Sequence, residues 1–254
     1  MRIILISLFL TIYCNSSFAE NINITAKDKV EWHQKDMKIV AIGEAIATKG
    51  KLKIEADTLT GYYQPKKKEQ KNKINQVIAK GNVRMHSPKA DAFGNELDYN
   101  IQQDIAILTG NPALIKTLTE TISAKDKITY YPSEQKAVAV GSVQATDSKK
   151  NKLFSDKMIA YFTKSSDNSE NLTLTKVDIF GNIKIVTPDA EVTAEKGTYL
   201  PQEGRVKLFN NVIINQNENM LRGDKAETNL NTGISKLLSS TPNSRVKGVF
   251  KEKK

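Results

Sequence analysis

The chain has 254 residues, and its 38 lysines and arginines exceed its 28 acidic residues to give a formal net charge of +10. A single cysteine excludes a framework of disulfides within the chain, and no apolar run reaches the roughly 20 residues that a transmembrane helix needs. Aromatic residues do not alternate with basic ones as they do in proteins that bind single-stranded nucleic acid, so we expect no nucleic-acid partner.

Residues 1–19 are predicted to be a cleavable signal peptide. Arg2 is a short basic region, the run from Ile3 to Ile12 is almost wholly apolar, and the segment ends in the small-residue pattern Ser-Phe-Ala that a signal peptidase reads. We therefore expect an exported protein, cleaved after Ala19 and then free of cysteine. A retained membrane anchor is the alternative.

Residues 20–38 are predicted to be an entry strand and a turn. Ile22, Ile24 and Val30 fall in loose alternation there, and the only tryptophan of the chain, Trp32, is expected to cover the first repeat.

A repeated unit follows, and its first copy is the stretch from Ala41 to Tyr63. It opens on a glycine inside a small-apolar run, turns at a Lys-Gly pair, alternates apolar and polar residues, and closes on Tyr62. Alternation with a period of two indicates a strand with one buried face. The glycine position recurs at Gly81, Gly110, Gly141, Gly181 and, with asparagine instead, Asn210. The closing position recurs at Tyr99, Tyr130, Tyr161, Tyr199 and Asn229.

The spacing of these positions predicts an array of about six repeats over residues 20–242. Each glycine-type position precedes its closing residue by 18 to 20 residues. Two polar segments, Pro65–Lys73 and Thr163–Asn171, lengthen the intervals between copies and are predicted to be loops, with partner binding as an alternative role. Without them the repeat is roughly 30 residues, a length typical of units that bury their apolar faces against their neighbours. The glycines are predicted to allow positive φ or a bulge in a bent strand.

The alternation also predicts which side chains point inward, because a slip of one residue would turn every side chain over. Stacked copies would align the inward residues into apolar stripes that either pack into a closed core or line an open groove for acyl chains. The predicted inward, ligand-binding positions are Ile54, Val83, Met85, Leu114, Val143, Ile183, Ile185, Leu208, Val212 and Ile214.

Residues 243–254 are predicted to form a C-terminal edge strand and a lysine-rich tail. The net positive charge has two explanations that the sequence leaves open. It indicates either an anionic envelope partner, such as a lipid phosphate or a glycan carboxylate, or solvated lysines in loops and in this tail.

The sequence holds little catalytic chemistry. His33 and His86 have no further ligands at the spacing of a zinc site, and no nucleophile elbow or phosphate loop is present. Acidic residues recur just before the closing position, at Asp57, Asp126, Asp156, Glu195 and Asp224. Recurrence in most copies favours a structural role, so we expect no catalytic residue, metal or cofactor.

Taken together, these features resemble the LptA/OstA family. The resemblance rests on the GEAIATKGKLKIEADTL stretch, the Gly-Asn pairs at Gly81, Gly110 and Gly181, the acidic residues before tyrosine, the signal peptide and the closing RVKGVF. It implies an all-β, elongated, open β-jelly-roll of stacked V-shaped coils with a hydrophobic groove.

The resemblance also implies a periplasmic bridge that carries lipopolysaccharide to the outer membrane without catalysis. Lipid A acyl chains would lie in the groove, and LptC-like and LptD-like domains would bind at the two ends, with head-to-tail self-association. The alternatives are a structural scaffold, an enzyme acting on envelope polysaccharide, and a membrane-anchored LptC-like subunit.

Overall fold

The computed structural model describes residues 22–64, 73–164, 172–216, 219–232, 234–239 and 245–249. The predicted signal peptide and most of both polar insertions lie outside these ranges. Within them no α-helix is present, and one 3-10 turn spans Pro201–Glu203. The all-β prediction is confirmed. None of the described segments forms a helix with the length and apolar character required to cross a bilayer.

Eighteen strands lie in the described residues. They are β1 (Asn23–Thr25), β2 (Lys29–His33), β3 (Lys38–Lys49), β4 (Leu52–Gln64), β5 (Lys73–Ser87), β6 (Ala90–Asn100), β7 (Ile105–Thr109), β8 (Ala113–Thr117), β9 (Glu120–Ala124), β10 (Lys127–Tyr131), β11 (Lys136–Asp147), β12 (Lys152–Lys164), β13 (Leu172–Val186), β14 (Ala190–Leu200), β15 (Arg205–Gln216), β16 (Asn219–Asn229), β17 (Ser235–Leu238) and β18 (Lys247–Val249).

The strands divide between two compact units. The N-terminal unit contains the described residues up to Leu118 together with Lys125–Ala137. The C-terminal unit contains Thr119–Ala124 and the described residues from Val138 onward.

The N-terminal unit is an antiparallel meander in which β3, β4, β5, β6 and β7 pair in chain order. Strand β10 pairs with β7. Two short strands, β1 and β2, lie one after the other along β3, and β7 and β8 divide the length of β6 in the same way.

The C-terminal unit repeats this plan. Strands β12 to β16 pair antiparallel in chain order, and β9 pairs with β11. Two short strands, β17 and β18, lie along β16 and pair with its opposite ends.

Each unit buries one face of its strands. On that face of the N-terminal unit, Leu59, Ala79 and Leu97 lie opposite one another on β4, β5 and β6, and each is at most 4 % exposed. The side chains predicted to point inward in most copies are therefore the buried ones. Apolar and polar residues alternate regularly wherever the next buried residue lies two positions after the glycine-type position.

β-Bulges occur at the glycine-type positions, and the predicted positive φ is found at most of them. In β13, for example, the pairing with β14 shifts between Phe180 and Ile183, and the bulge lies between these two residues. Two consecutive residues there have positive φ, which β-branched residues disfavour. These pairs are Gly43 and Glu44, Gly81 and Asn82, Gly141 and Ser142, Gly181 and Asn182, and Asn210 and Asn211.

An acidic side chain of the preceding strand lies over the glycine of several bulges. A Cβ on Gly181 would stand 2.1 Å from Asp156 Oδ2, and Asn182 Nδ2 donates to that carboxylate at 2.9 Å. Asp57 holds the same position over Gly81. Asp57 and Asp156 therefore have the structural role that the periodicity of the acidic residues predicts.

The third copy departs from the prediction at Leu114. Leu114 lies opposite Phe93, whereas its neighbour Ile115 lies opposite the buried Ala92. Leu114 is thus on the other face of the sheet, and its inward assignment is wrong. The physical reason is length: the first buried residue after Gly110 is three positions on, at Ala113, where other copies use two.

Gly110 itself does not adopt positive φ, so the prediction of a bulge glycine is wrong there. A Cβ on Gly110 would stand 2.8 Å from the carbonyl oxygen of Pro112 and 3.0 Å from Gly94 Cα. Close approach of backbone segments is what requires glycine at this position.

The closing aromatic residues are not all equivalent. Tyr99, Tyr130 and Tyr199 are buried, but Tyr62 and Tyr161 are only partly buried. Tyr63 lies four residues after the buried Leu59, and Phe162 lies four residues after the buried Met158, so period-two alternation turns these next aromatic residues inward instead.

Candidate functional site

An apolar cavity of about 100 Å³ lies in the N-terminal unit. It lies between β1 and the strands β3 to β6, whose period-two alternation places apolar side chains towards it. Its lining comprises Ile22, Ile24, Ala47, Thr48, Lys49, Leu52, Ile54, Leu59, Thr60, Gly61, Ile74, Val77, Tyr99 and Ile101.

A second cavity of about 40 Å³ adjoins the first, because Ile54 and Tyr99 line both. Its lining comprises Ile54, Met85, Ala92, Leu97, Tyr99, Ala106, Leu108, Ile115, Ile128 and Tyr130. All side chains that line this cavity are apolar apart from the two tyrosines. Both cavities are therefore predominantly apolar, and they are neighbours in the N-terminal unit.

Polar and cationic groups lie at one side of the larger cavity. Thr48 and Lys49 line it at the end of β3, and Leu52 lines it at the start of β4. The turn between these strands carries the exposed Lys51. The arrangement suits an amphiphile with an apolar chain and an anionic head group, since lysine residues lie in and beside an otherwise largely apolar lining.

The C-terminal unit has a polar opening of about 290 Å³ lined by Arg205, Glu227, Asn229, Thr232, Ile234 and Lys236. It also has a cavity of about 20 Å³ beside Ile185. Glu120 lines it and is only 5 % exposed. Burial raises the pKa of Tyr199 to about 12, and the negative charge of Glu120 acts in the same direction.

The predicted inward residues differ in where they lie. Ile54 and Met85 line the cavities of the N-terminal unit, and Ile185 lines the small cavity of the C-terminal unit. Ile214 is half-buried, and Leu114 lies on the opposite face. The remaining predicted residues are buried, namely Val83, Val143, Ile183, Leu208 and Val212.

Sequence reasoning missed several lining residues. Ile22 and Ile24 precede the first repeat, and Ile101 follows a closing tyrosine. Ile22 and Ile24 alternate with polar residues, and this alternation could have identified them as inward-facing. Ile101 corresponds to no position of the repeat, so the sequence pattern did not identify it.

The first strands of the N-terminal unit leave apolar side chains exposed. Val30 and Trp32 on β2 are 49 % and 61 % exposed, and Trp32 Nε1 donates to the Tyr63 hydroxyl at 2.6 Å. The last strands of the C-terminal unit do the same at Met220 and Val249, which lie opposite each other. Exposed apolar side chains on short outer strands are typical of surfaces that accept a further strand.

Both histidines contact acidic residues. His33 Nε2 lies 2.8 Å from Glu31, and His86 Nδ1 lies 2.6 Å from Asp91. Across the described ranges no group of three or more metal-ligating side chains is placed to hold an ion.

A family model described as "LptA/(LptD N-terminal domain) LPS transport protein" matches residues 23–136 and again residues 121–234. A solved structure, LptH, is described as the LptA homologous periplasmic component of the lipopolysaccharide transport device from Pseudomonas aeruginosa. It is 12 % identical, with a TM-score of 0.23, over 92 % of this chain and 96 % of that one. No curated protein matches the chain.

Proposed function

Since the chain belongs to the LptA/(LptD N-terminal domain) family of lipopolysaccharide transport proteins, we propose that it is a non-catalytic periplasmic carrier of lipopolysaccharide. The acyl chains of the lipid occupy the apolar face of the sheet, while sugars and phosphates stay in solvent. The observation that carries this proposal is the pair of neighbouring apolar cavities on either side of Ile54 and Tyr99.

The hydrophobic effect gives the binding its free energy. Each methylene group removed from water contributes about 0.8 kcal/mol, so several methylene groups in the cavities offset the cost of immobilising the lipid. The cationic turn that carries Lys51 adds attraction to the phosphates of the head group.

We further propose that the short outer strands join this protein to its neighbours. Strands β1 and β2 of the N-terminal unit and strands β17 and β18 of the C-terminal unit accept strands from LptC-like and LptD-like domains or from a second copy. A contact between these two unlike sets of strands is heterologous, so repeated contacts of this kind build a chain of molecules.

Self-association tests the second part of the proposal. Deletion of residues 237–254 removes β18 and half of the pairing of β17. It is expected to abolish oligomers in sedimentation experiments while the far-UV spectrum stays that of a β-protein. Oligomers of unchanged size would place the contact elsewhere.

Photo-crosslinking tests the carrier function. A photoreactive residue at the inward Met85 is expected to form adducts with lipopolysaccharide, and one at the neighbouring exposed Arg84 is not. Absence of adducts at both positions in a folded protein would contradict the carrier and favour a scaffold with a packed core.

A further inference from the structure

A row of alternating lysine and phenylalanine side chains, here named the Lys/Phe row, crosses five strands of the C-terminal unit. Its members lie opposite one another on β12, β13, β14, β15 and β16, and in that order they are Lys157, Phe180, Lys196, Phe209 and Lys225. Because each residue lies on a different strand, the alternation is not visible along the sequence. Only the pairing of the strands creates it.

The Lys/Phe row lies on the face of the sheet that is opposite to the buried face. Each of its members is next in sequence to a buried residue, and adjacent residues of a strand point to opposite faces. Phe180, for example, follows Ile179, which is 2 % exposed. The three lysines are exposed, and the two phenylalanines between them are half-buried. Each ring is therefore bordered on both sides by a solvated cation.

The lysines of the row have their charges available for an anion. Within the described ranges none of the three forms an ion pair with a carboxylate. The acidic residues that precede two of them are held at the bulges, since Asp156 accepts from Asn182 Nδ2 at 2.9 Å. Glu195 likewise accepts from Asn210 Nδ2 at 3.2 Å. The row therefore presents three positive charges and no negative charge of its own.

The N-terminal unit lacks this row at the equivalent positions. The two units share their register about 100 positions apart, as the closing residues Tyr99 and Tyr199 show. The equivalent residues, which also lie opposite one another, are Thr58, Lys80, Glu96 and Thr109. No aromatic residue is among them, and the ammonium group of their one lysine lies 3.4 Å from the glutamate. The fold therefore does not require the alternation of lysine and phenylalanine.

The polar opening of about 290 Å³ lies on the same face, beside the row. Glu227 and Asn229, which line it, follow Lys225 on β16 at intervals of two residues and so point to the same side. Arg205 and Lys236 add positive charge to its lining, and Asn229 adds an amide group. Such groups bind the hydroxyl groups of sugars and their anionic substituents.

From these observations we propose that the Lys/Phe row and the polar opening beside it bind the phosphorylated sugars of lipopolysaccharide. The inference rests on the proposed function, which leaves the sugars in solvent, and it names the surface that recognises them. The flat face of a sugar ring, which carries C–H groups, packs on a phenylalanine ring, and phosphates on neighbouring sugars meet the lysines on either side. Lysines on alternate strands are about 10 Å apart, which leaves space for a sugar ring between them.

The geometry favours a sugar chain over other anionic partners. A bilayer takes up aromatic side chains that protrude from a surface, and Phe180 and Phe209 are half-buried between lysines. A single-stranded nucleic acid would use rings and charges in a similar way. The polar opening and the family of the chain, whose members transport a phosphorylated glycolipid, favour the sugars.

Removal of the charges of the row tests the proposal. The probe is lipopolysaccharide oligosaccharide from which all acyl chains have been removed, so that it has no alkyl chain to place in an apolar cavity. The triple variant Lys157→Gln/Lys196→Gln/Lys225→Gln is expected to bind this probe about tenfold more weakly, because the attraction between lysine and phosphate is lost. The matched control, Lys149→Gln/Lys150→Gln/Lys152→Gln, removes the same charge from the same unit outside the row and is expected to bind the probe unchanged.

A second variant separates the rings from the charges. Phe180→Leu/Phe209→Leu keeps apolar side chains and all three lysines. It is expected to weaken binding of the probe and to leave the dependence of binding on ionic strength as it is in the unmodified protein. The lysine variant, in contrast, is expected to reduce that dependence.

The outcomes distinguish this site from the carrier function. Unchanged binding by the lysine variant, or equal weakening by its control, would overturn the site. Tighter binding of a single-stranded oligodeoxynucleotide or of phosphatidylglycerol vesicles than of the probe would overturn the assignment of the ligand. Binding of intact lipopolysaccharide without binding of the probe would refute this site and leave the carrier function standing, whereas failure to bind either would refute both.

A photoreactive residue at the exposed Lys196 decides if the lysine variant does not fold. This position lies at the centre of the row, and the other four members stay native. Adducts with the deacylated oligosaccharide are expected there. Their absence in a folded protein would overturn the site.

Discussion

Replacement of Gly181 by alanine tests how the acidic residues and the bulges stabilise this fold. Gly181 has a φ of +74°, and a Cβ there would stand 2.1 Å from Asp156 Oδ2 and 2.9 Å from Asp156 Cβ. The contact with Asp156 Cβ means that a rotation of the carboxylate alone does not relieve the clash. The backbone of β12 or β13 has to move.

The expected magnitude has two parts. The left-handed conformation costs alanine about 1 kcal/mol relative to glycine. Displacement of Asp156 also removes its hydrogen bond from Asn182, and hydrogen bonds to charged groups contribute about 2 kcal/mol. We therefore expect Gly181→Ala to lower the free energy of unfolding by about 3 kcal/mol.

Urea unfolding measures the effect, and Gly61→Ala is the matched control. Gly61 also lies within a strand, but its φ lies outside the left-handed region, and the nearest atom to an added Cβ is Ile74 Cδ1 at 3.9 Å. We expect a change below about 0.5 kcal/mol there. Similar destabilisation by both substitutions would refute the explanation of the bulge.

Three further predictions concern other positions. Ile183→Asp is expected to lower the stability of the C-terminal unit by several kcal/mol, because Ile183 is 1 % exposed. The control Lys184→Asp loses only the exposed ion pair of Lys184 with Glu191. Equal loss of stability by both variants in thermal unfolding would contradict the register. The raised pKa of Tyr199 contributes stability that is fully present below about pH 10 and is lost as the pH rises towards about 12. Over that pH range the free energy of unfolding of Tyr199→Phe should therefore fall by about 2 kcal/mol less than that of the unmodified protein, as measured by urea titrations at each pH. Trp32→Phe removes the hydrogen bond to the Tyr63 hydroxyl and is expected to cost about 1 kcal/mol in the same assay; no change would mean that the bond contributes nothing.

The sequence by itself determined the fold class and most of the register. Period-two alternation around Gly81, Gly141 and Gly181 marks which side chains are buried, because adjacent side chains on a strand must point to opposite faces. The recurrence of acidic residues such as Asp156 likewise indicated a structural position, which contact with a bulge glycine explains.

The tertiary structure alone decided where the units depart from the repeat and where space remains between side chains. The additional residue after Gly110 turns Leu114 over, and an extra residue in β5 shifts its pairing with Tyr62 and Tyr63. Cavity volume depends on side chains from strands that are distant in sequence, such as Ile54 and Ala106. A pattern within one strand specifies which face is buried, but it does not specify how much of the space opposite that face is filled.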